Sequence, residues 1–264
     1  MSNVTQHHVF QQDRLAFLCE GPVMPDRCGL VWLCGFKSQM TGEKASRLAR
    51  WATAQQRNLL RFDYSGHGQS TGEFTDGTIS LWLDQAVEMF CHHAPGPRVV
   101  IGSSMGAWIA LLLVRRLRTQ APDAAARIKG LVLLAPAVDM TATLIPQGMT
   151  AAEKESLERT GIAERSSAYG DGPYQITRQL LEDGERHLLF GEPFPVDFPV
   201  RILHGDADPD VPVQHGLKVF GMLEGSDVTF TLIKGGDHRL SDPVNLVLLE
   251  EIVAALCARG DGSV

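Results

Sequence analysis

The sequence predicts an α/β domain with a doubly wound, mostly parallel sheet. Strand-like and helix-like segments alternate along most of the 264 residues. The strand candidates are short, continuous apolar runs, which is typical of strands covered by helices on both faces. The composition, 44% hydrophobic and 21% charged, is that of a globular protein long enough to bury one large core.

The first half of the chain supplies three strand–helix units. The run GLVWLCGF, which begins at Gly29, precedes TGEKASRLARWATAQQ, where apolar residues recur at helical spacing. NLLRFDYSG, from Asn58, is followed after a glycine-rich turn by TISLWLDQAVEMFCHH, and RVVIGS, from Arg98, leads into SMGAWIALLLVRRLRTQ. Ahead of these units, DRLAFLCEG, from Asp13, is expected to add an antiparallel edge strand.

The second half resumes the alternation after an interruption. Further strands are expected in the runs that begin at Lys129, Val200 and Asp227. Between them, residues 139–197 contain no strand candidate and only short helical stretches such as TAAEKESLERTG. A structureless loop of this length is implausible in a compact domain, so we predict an inserted helical cap. The core then consists of residues 1–138 and 198–264.

Charge, cysteine usage and the N-terminal sequence exclude several classes of protein. A net charge of −7 without a basic block argues against nucleic acid or an anionic membrane as a partner. The five cysteines are scattered, without C-x-x-C spacing, and no G-x-G-x-x-G opens a helix, so we expect neither a metal nor a cofactor. The N-terminus lacks an apolar signal core or an arginine-rich stretch, and no apolar run is long enough to span a membrane. We therefore expect a cytoplasmic protein, either a monomer or a small homo-oligomer.

Two adjacent serines, Ser103 and Ser104, lie between a strand-like and a helical run in RVVIGSSMGAWIALLL. A nucleophilic serine on a tight strand-to-helix turn occupies a G-x-S-x-G frame, because larger side chains two positions away would collide with the strand and the helix. For Ser104 these positions are Gly102 and Gly106, whereas for Ser103 they are an isoleucine and a methionine. The frame therefore selects Ser104 as the candidate nucleophile.

A serine hydroxyl needs a base that takes its proton and a carboxylate that orients the base. On a strand–turn–helix scaffold of this kind, the order along the chain is serine, acid, histidine. His238, in LIKGGDHRLS, follows the last strand and is the histidine at the required place.

Four aspartates are candidates for the acid. RILHGDADPDVP offers Asp206, Asp208 and Asp210, and Asp139, after an earlier strand, is a reserve candidate. The D-x-D-x-D spacing does not make a calcium loop, because the glycine at the sixth position and the glutamate at the twelfth are missing. The residues alone leave the choice of acid open.

Acyl transfer also requires donors aimed at the developing oxyanion. We expect one from the backbone N–H of Met105, directly after the candidate nucleophile. The other is expected from the loop after LVWLCGF, where Gly35 allows close backbone approach and the N–H of Phe36 can point inward.

Several segments resemble the α/β-hydrolase superfamily of serine hydrolases: GFKSQMTGEKA, FDYSGHGQSTGEF, GSSMGAW, LLAPAVD, LHGDADPDVP and GGDHRLS. Within it they are similar to the palmitoyl-protein thioesterase and acyl-glucuronide esterase branch (α/β-hydrolase domain-containing protein 10). The resemblance covers nearly the whole chain and implies the α/β-hydrolase fold. In such enzymes the pattern H-G-x-x-D-x-x-V-P carries the acid at its D, which here is Asp208. Ser104 and His238 then correspond to the nucleophile and base, and Phe36 and Met105 to the oxyanion donors.

The same resemblance implies structural roles for two other histidines. GHGQS matches a structural turn, which includes His67, and His204 belongs to the strand end before the acid. Cys34 stands where many relatives have a histidine that braces the oxyanion loop.

The function implied is that of a serine esterase or thioesterase whose cap lines an acyl pocket. The expected substrates are small-molecule or protein-linked acyl esters and thioesters, such as S-acylated proteins, acyl-CoA-like compounds or acyl-glucuronides. Two alternatives stay open: a C–C or lactone hydrolase that uses the same triad, and a ligand-binding protein with little hydrolysis, because a fold does not by itself determine function.

Overall fold

A large sheet runs through the part of the chain that the structure describes. The computed structural model describes residues 4–166 and 172–261. Its strands are Gln6–Phe10 (β1), Asp13–Glu20 (β2), Gly29–Leu33 (β3), Leu59–Phe62 (β4), Arg98–Ser103 (β5), Ile128–Leu134 (β6), Ile162–Arg165 (β7), Tyr174–Thr177 (β8), Phe194–Pro195 (β9), Val200–Gly205 (β10), Leu223–Glu224 (β11) and Val228–Ile233 (β12). Its α-helices are Glu43–Ala54 (α1), Ile79–His93 (α2), Met105–Gln120 (α3), Pro122–Ala125 (α4), Leu144–Gln147 (α5), Ala151–Thr160 (α6), Arg178–Gly184 (α7), Val213–Met222 (α8) and Pro243–Gly260 (α9).

The large sheet has the strand order β1-β2-β4-β3-β5-β6-β10-β12. β1 pairs antiparallel with β2 and β2 with β4, whereas the pairs from β4 to β12 are parallel. Helix α1 packs with α9, and α2 packs with α3, so that helices flank the sheet. The predicted fold class is confirmed. Because parallel strands end at the same edge of a sheet, the loops that follow β3, β5, β10 and β12 converge there.

The antiparallel strand predicted near the N-terminus is β2, but it does not lie at the edge. β1 pairs with its outer side. The sequence of β1, QHHVF, is mixed in polarity, and the turn after it contains Gln11 with φ of 53° rather than glycine or asparagine. Neither feature carries the usual signal of a hairpin, so β1 cannot be recognised from its sequence.

The segment between β6 and β10 is helical in part, as expected, but the prediction that it contains no strand is wrong. β7 and β8 form an antiparallel pair, and β9 pairs with β11. β7 and β8 contact helices α6 and α7 respectively. β7 and β8 have only four residues each, and a pattern of exposed and buried positions over so short a run does not distinguish a strand from a loop. The division of the chain into core and cap stays a prediction.

None of the helices in residues 4–166 and 172–261 is long and apolar enough to cross a bilayer.

Candidate active site

Ser104 lies on the tight turn between β5 and α3. Its backbone has φ of 56° and ψ of −118°, a conformation that is strained for a residue with a side chain. Hydrogen bonds hold it there, since the Ser104 N–H donates to the carbonyl of Leu134 (2.8 Å) and the Ser104 carbonyl accepts from Ala107 (3.0 Å) and Ala137 (3.2 Å). Its side chain borders a cavity.

The two glycines of the frame are required by close packing of the backbone. A Cβ atom on Gly102 would overlap the backbone of Gly106 and Ala107, and one on Gly106 would overlap the carbonyls of Leu33 and Cys34. The turn therefore tolerates no side chain at either position.

Three side chains from three separate loops form a chain of hydrogen bonds. Oγ of Ser104 lies 3.1 Å from Nε2 of His238, and Nδ1 of His238 lies 2.8 Å from Oδ2 of Asp208. A carboxylate only accepts hydrogen bonds, so it fixes the imidazole proton on Nδ1 and leaves Nε2 free to accept from the serine hydroxyl. The arrangement is the one that a proton transfer from Ser104 to His238 needs.

The side chain of Asp208 is fully buried, and its carboxyl is ionised. Its Oδ1 accepts the N–H groups of Asp210 and Val211, each at 2.9 Å. Burial raises the pKa of the Asp208 carboxyl, but His238 and these two amides outweigh it, so the pKa lies below its ordinary value. Asp206 points elsewhere, to Lys234 Nζ at 2.7 Å.

The reserve acid, Asp139, does not contact His238. Its carboxylate accepts the amides of Leu189 (2.9 Å) and Phe190 (2.8 Å), and Asp139 itself has φ of 54°. The Asp139 carboxylate thus links the start of the segment between β6 and β10 to a later part of the same segment, which is a structural role.

The loops that carry the acid and the histidine are joined by backbone hydrogen bonds. Asp206 N donates to the carbonyl of Ile233, and Ala207 N donates to that of Gly236, each at 3.0 Å. His204 is buried beneath them and bonds the carbonyl of Val211 (2.8 Å), in keeping with the structural role expected of it.

The predicted oxyanion donors flank Ser104. Met105 is the first residue of α3, so its N–H lies outside the hydrogen-bond ladder of the helix. The loop of residues 35–42, called the oxyanion loop below, passes directly beside the serine: a Cβ atom on Gly35 would lie 3.4 Å from that of Ser104. The ring of Phe36 packs against Phe74, with ring centroids 5.0 Å apart.

The triad borders a cavity of about 850 Å³ at the carboxyl edge of the sheet. Core loops contribute Phe36 and Phe74, and the segment between β6 and β10 contributes Met140, Leu144, Ile145 and Tyr174. Arg165 of β7 also lines it, held by Glu153 Oε1 at 3.0 Å. No sequence pattern singles out Arg165 or Tyr174, because their place in the cavity depends on the unexpected β7–β8 pair.

Within the described residues, Asp208, Asp210 and His238 bring potential metal-ligand atoms within 4.8 Å of one another. Asp208 and His238 already bond each other through a proton on Nδ1. This donor set fits a proton relay better than a cation site.

Comparisons with known proteins agree with this architecture. Residues 31–163 match the Hydrolase_4 family, described as "Serine aminopeptidase, S33". The mitochondrial palmitoyl-protein thioesterase ABHD10 of Bos taurus is 31% identical over 222 residues, 84% of this chain and 70% of that protein. The human protein of the same name is 30% identical over the same shares. These names place the relatives in mitochondria, so the cytoplasmic location expected here stays a prediction.

Solved structures show the same fold. A putative hydrolase from Agrobacterium vitis S4 superimposes with a TM-score of 0.91 at 38% identity, covering 97% of this chain and 100% of that one. Mouse α/β-hydrolase domain-containing protein 10 gives a TM-score of 0.83 at 26% identity over 97% and 99% of the chains. The chain therefore belongs to the Hydrolase_4 family of the α/β-hydrolase superfamily.

Proposed function

We propose that this protein is a serine hydrolase that cleaves carboxylic esters or thioesters through an acyl-enzyme on Ser104. The proposal rests above all on the 3.1 Å contact between Ser104 Oγ and His238 Nε2, with His238 in turn bonded to a buried, ionised Asp208. An activated hydroxyl beside a cavity of about 850 Å³ is suited to attack a bound acyl carbonyl.

In the first half of the reaction, His238 Nε2 takes the proton of Ser104 as Oγ attacks the carbonyl carbon. Asp208 keeps the imidazole in the required orientation and stabilises its positive charge. The amides of Phe36 and Met105 receive the oxygen of the tetrahedral intermediate. His238 then donates its proton to the departing alcohol or thiol. In the second half, a water molecule activated by His238 releases the acid and regenerates Ser104.

The substrate class follows from the walls of the cavity and from the relatives. We assign the cap role to residues 139–197, whose apolar side chains Met140, Leu144 and Ile145 border the cavity. Together with Phe36 they offer an apolar surface to an acyl chain. The relatives named palmitoyl-protein thioesterase support an acyl thioester as the substrate, either on a small molecule or on a protein.

The experiment is a kcat/KM series on esters and thioesters of graded acyl length. We expect kcat/KM to rise from acetyl to longer chains, because each added methylene buries more apolar surface. Ser104→Ala and His238→Gln should lower kcat by several orders of magnitude without lowering the thermal unfolding temperature.

Covalent labelling with a fluorophosphonate provides the control. It should modify the wild-type protein and leave Ser104→Ala unlabelled, whereas the neighbouring variant Ser103→Ala should still be labelled. Labelling of the Ser104→Ala protein, or its hydrolysis of the best substrate at the wild-type rate, contradicts the proposal.

A further inference from the structure

The geometry points to His67 as a positioning residue that holds the oxyanion loop against Ser104. The inference rests on the acyl-transfer function proposed above. His67 belongs to the GHGQS turn, and its Nε2 accepts the backbone N–H of Lys37 at 3.1 Å, while its Nδ1 lies 3.1 Å from the carbonyl of Ser65. The carbonyl can only accept, so Nδ1 carries the proton and Nε2 is the acceptor.

The bonded amide lies at the strained position of the oxyanion loop. Ser38 N donates to the carbonyl of Gly35 (3.1 Å), which makes Phe36 and Lys37 the two central residues of a β-turn. Lys37 has φ of 58°, as the third residue of a type II turn requires, a position that favours glycine. For lysine this conformation is less favourable than one with negative φ.

A type I turn would relieve this strain. In a type I turn the same residue has negative φ, and the peptide between the two central residues is flipped. That peptide joins Phe36 to Lys37 and contains the N–H that His67 accepts. The imidazole thus opposes the flip, which would displace Phe36, whose own amide is the oxyanion donor proposed above.

His67 itself has one orientation and one charge state. It is buried, and its ring lies against Phe74 (5.2 Å) and Trp82 (5.1 Å), both of which also contact Phe36. Burial lowers the pKa of His67 to about 4, against the weaker opposing effect of the Ser65 carbonyl, so Nε2 stays an acceptor at neutral pH.

The far end of the loop is held independently. Met40 N donates to Asp63 Oδ1 (2.6 Å), and the carbonyl of Met40 accepts from Arg61 (2.8 Å). Loss of the His67 contact therefore leaves the backbone N–H of Lys37 without its acceptor and loosens the part of the loop nearest Ser104, while the far end stays attached. An oxyanion donor is effective only when it is held in place before the reaction. A loosened loop should therefore stabilise the transition state less well and leave substrate binding nearly unchanged.

Two substitutions separate the hydrogen bond from the side chain. His67→Gln carries an amide oxygen near the place of Nε2, whereas His67→Asn reaches only as far as Nδ1 and leaves Lys37 N–H without its acceptor. We expect His67→Asn to lower kcat about 10- to 100-fold with KM nearly unchanged, less than loss of a donor itself. His67→Gln should restore most of kcat. Affinity for a boronic acid, which forms a tetrahedral adduct on Ser104, should fall in parallel with kcat.

His187→Asn is the matched control. His187 is another buried histidine, bonded to Ser80 Oγ at 2.7 Å, and it does not line the cavity beside Ser104. Its substitution should lower the unfolding temperature and leave kcat within about twofold of wild type. Nitrogen NMR of His67 in the wild-type protein provides a reading that needs neither a variant nor activity: Nε2 should be the unprotonated nitrogen.

Three results overturn the inference: equal losses of kcat in His67→Asn and His67→Gln, a loss confined to KM, or a proton on Nε2 of His67. The NMR result decides the case even if His67→Asn does not fold. Failure of the proposed function is a different result, recognised when Ser104→Ala retains hydrolysis or fluorophosphonate labelling.

Discussion

Asp208 keeps its negative charge although its side chain is wholly enclosed. The charge is stabilised by one imidazole N–H and by the amides of Asp210 and Val211. A carboxyl held this firmly both orients His238 and balances the positive charge that His238 acquires when it takes the serine proton. Asp208 therefore acts in the proton relay through its negative charge as well as through its position.

We expect Asp208→Asn to lower kcat about 10³-fold, because an amide group can donate to Nδ1 and so favours the wrong tautomer of His238. Steady-state kinetics on the best ester checks this.

Asp139→Asn is the matched control for that variant. It weakens the bonds to Leu189 and Phe190, so it should lower the unfolding temperature and leave kcat near wild type. Near-normal activity in Asp208→Asn together with an inactive Asp139→Asn would show that the wrong acid has been assigned.

The candidate triad is accessible from sequence because each member lies in a short local pattern. Ser104 is selected by two glycines, and His238 by its position after the last strand. The acid needs a longer pattern: the aspartates after β10 are equivalent by position, and Asp208 is selected by the H-G-x-x-D-x-x-V-P pattern of the α/β-hydrolases that the chain resembles. The bond between Lys37 and His67 joins two loops 30 residues apart, and no local pattern encodes it.

At the scale of elements, the β5–α3 junction depends on backbone contact more than on side chains. Gly106 lies against the carbonyls that end β3, which lets α3 approach the sheet closely enough to present Ser104 at its edge.

Gly106→Ala should lower the free energy of unfolding by about 3 kcal/mol, since the added methyl group overlaps the carbonyls of Leu33 and Cys34. The midpoint of urea denaturation measures the change.

Gly221→Ala provides the comparison within a helix. A Cβ atom there meets nothing within 4 Å, and Gly221 lies in α8, so alanine should be neutral or stabilising by up to about 1 kcal/mol. Equal destabilisation in both variants would mean that the close approach at Gly106 is not what the junction requires.

Element prediction succeeds where burial is continuous. β3, β4 and β5 are buried along their whole lengths, and such runs are readable as parallel strands. The strands outside this core, β1, β7 and β8, are short and mixed in polarity, and they depend on pairing partners that the local sequence does not specify.

For the molecule as a whole, strand order is the feature that is hardest to predict from the sequence. Alternation of strands and helices predicts a parallel sheet, but β4 lies outside β3 although it follows it in the chain. Such reversals come from which crossover packs on which face, a property of tertiary contacts and not of any one segment.

Two histidines, the buried His67 and the half-buried His215, make the stability of the whole fold depend on pH. Burial lowers the pKa of both His67 and His215 to about 4, and His215 also faces Lys218 and His204. The unfolded chain takes up protons on these residues near their ordinary pKa of 6.5, before the folded protein does. Stability is therefore highest above that value and falls as the pH drops towards 4.

We expect the free energy of unfolding to fall by about 1–2 kcal/mol for each of these two histidines between pH 7 and pH 5. His215→Gln should remove one such contribution and flatten the decline, as measured by urea denaturation at each pH. A wild-type protein that is equally stable at both pH values contradicts this expectation.

Backbone hydrogen bonds join the loop after β10 to the loop after β12, so two members of the triad are attached to each other more directly than to the third. Asp208 and His238 lie on these two joined loops, whereas Ser104 follows β5, which is separated from β10 by β6. A change in the spacing between β5 and β10 would alter the 3.1 Å distance between Ser104 Oγ and His238 Nε2 and leave the 2.8 Å contact between His238 and Asp208 unchanged. To build this triad into another protein, a designer must transfer the two loops together and then adjust one distance, that between the serine oxygen and Nε2 of the histidine.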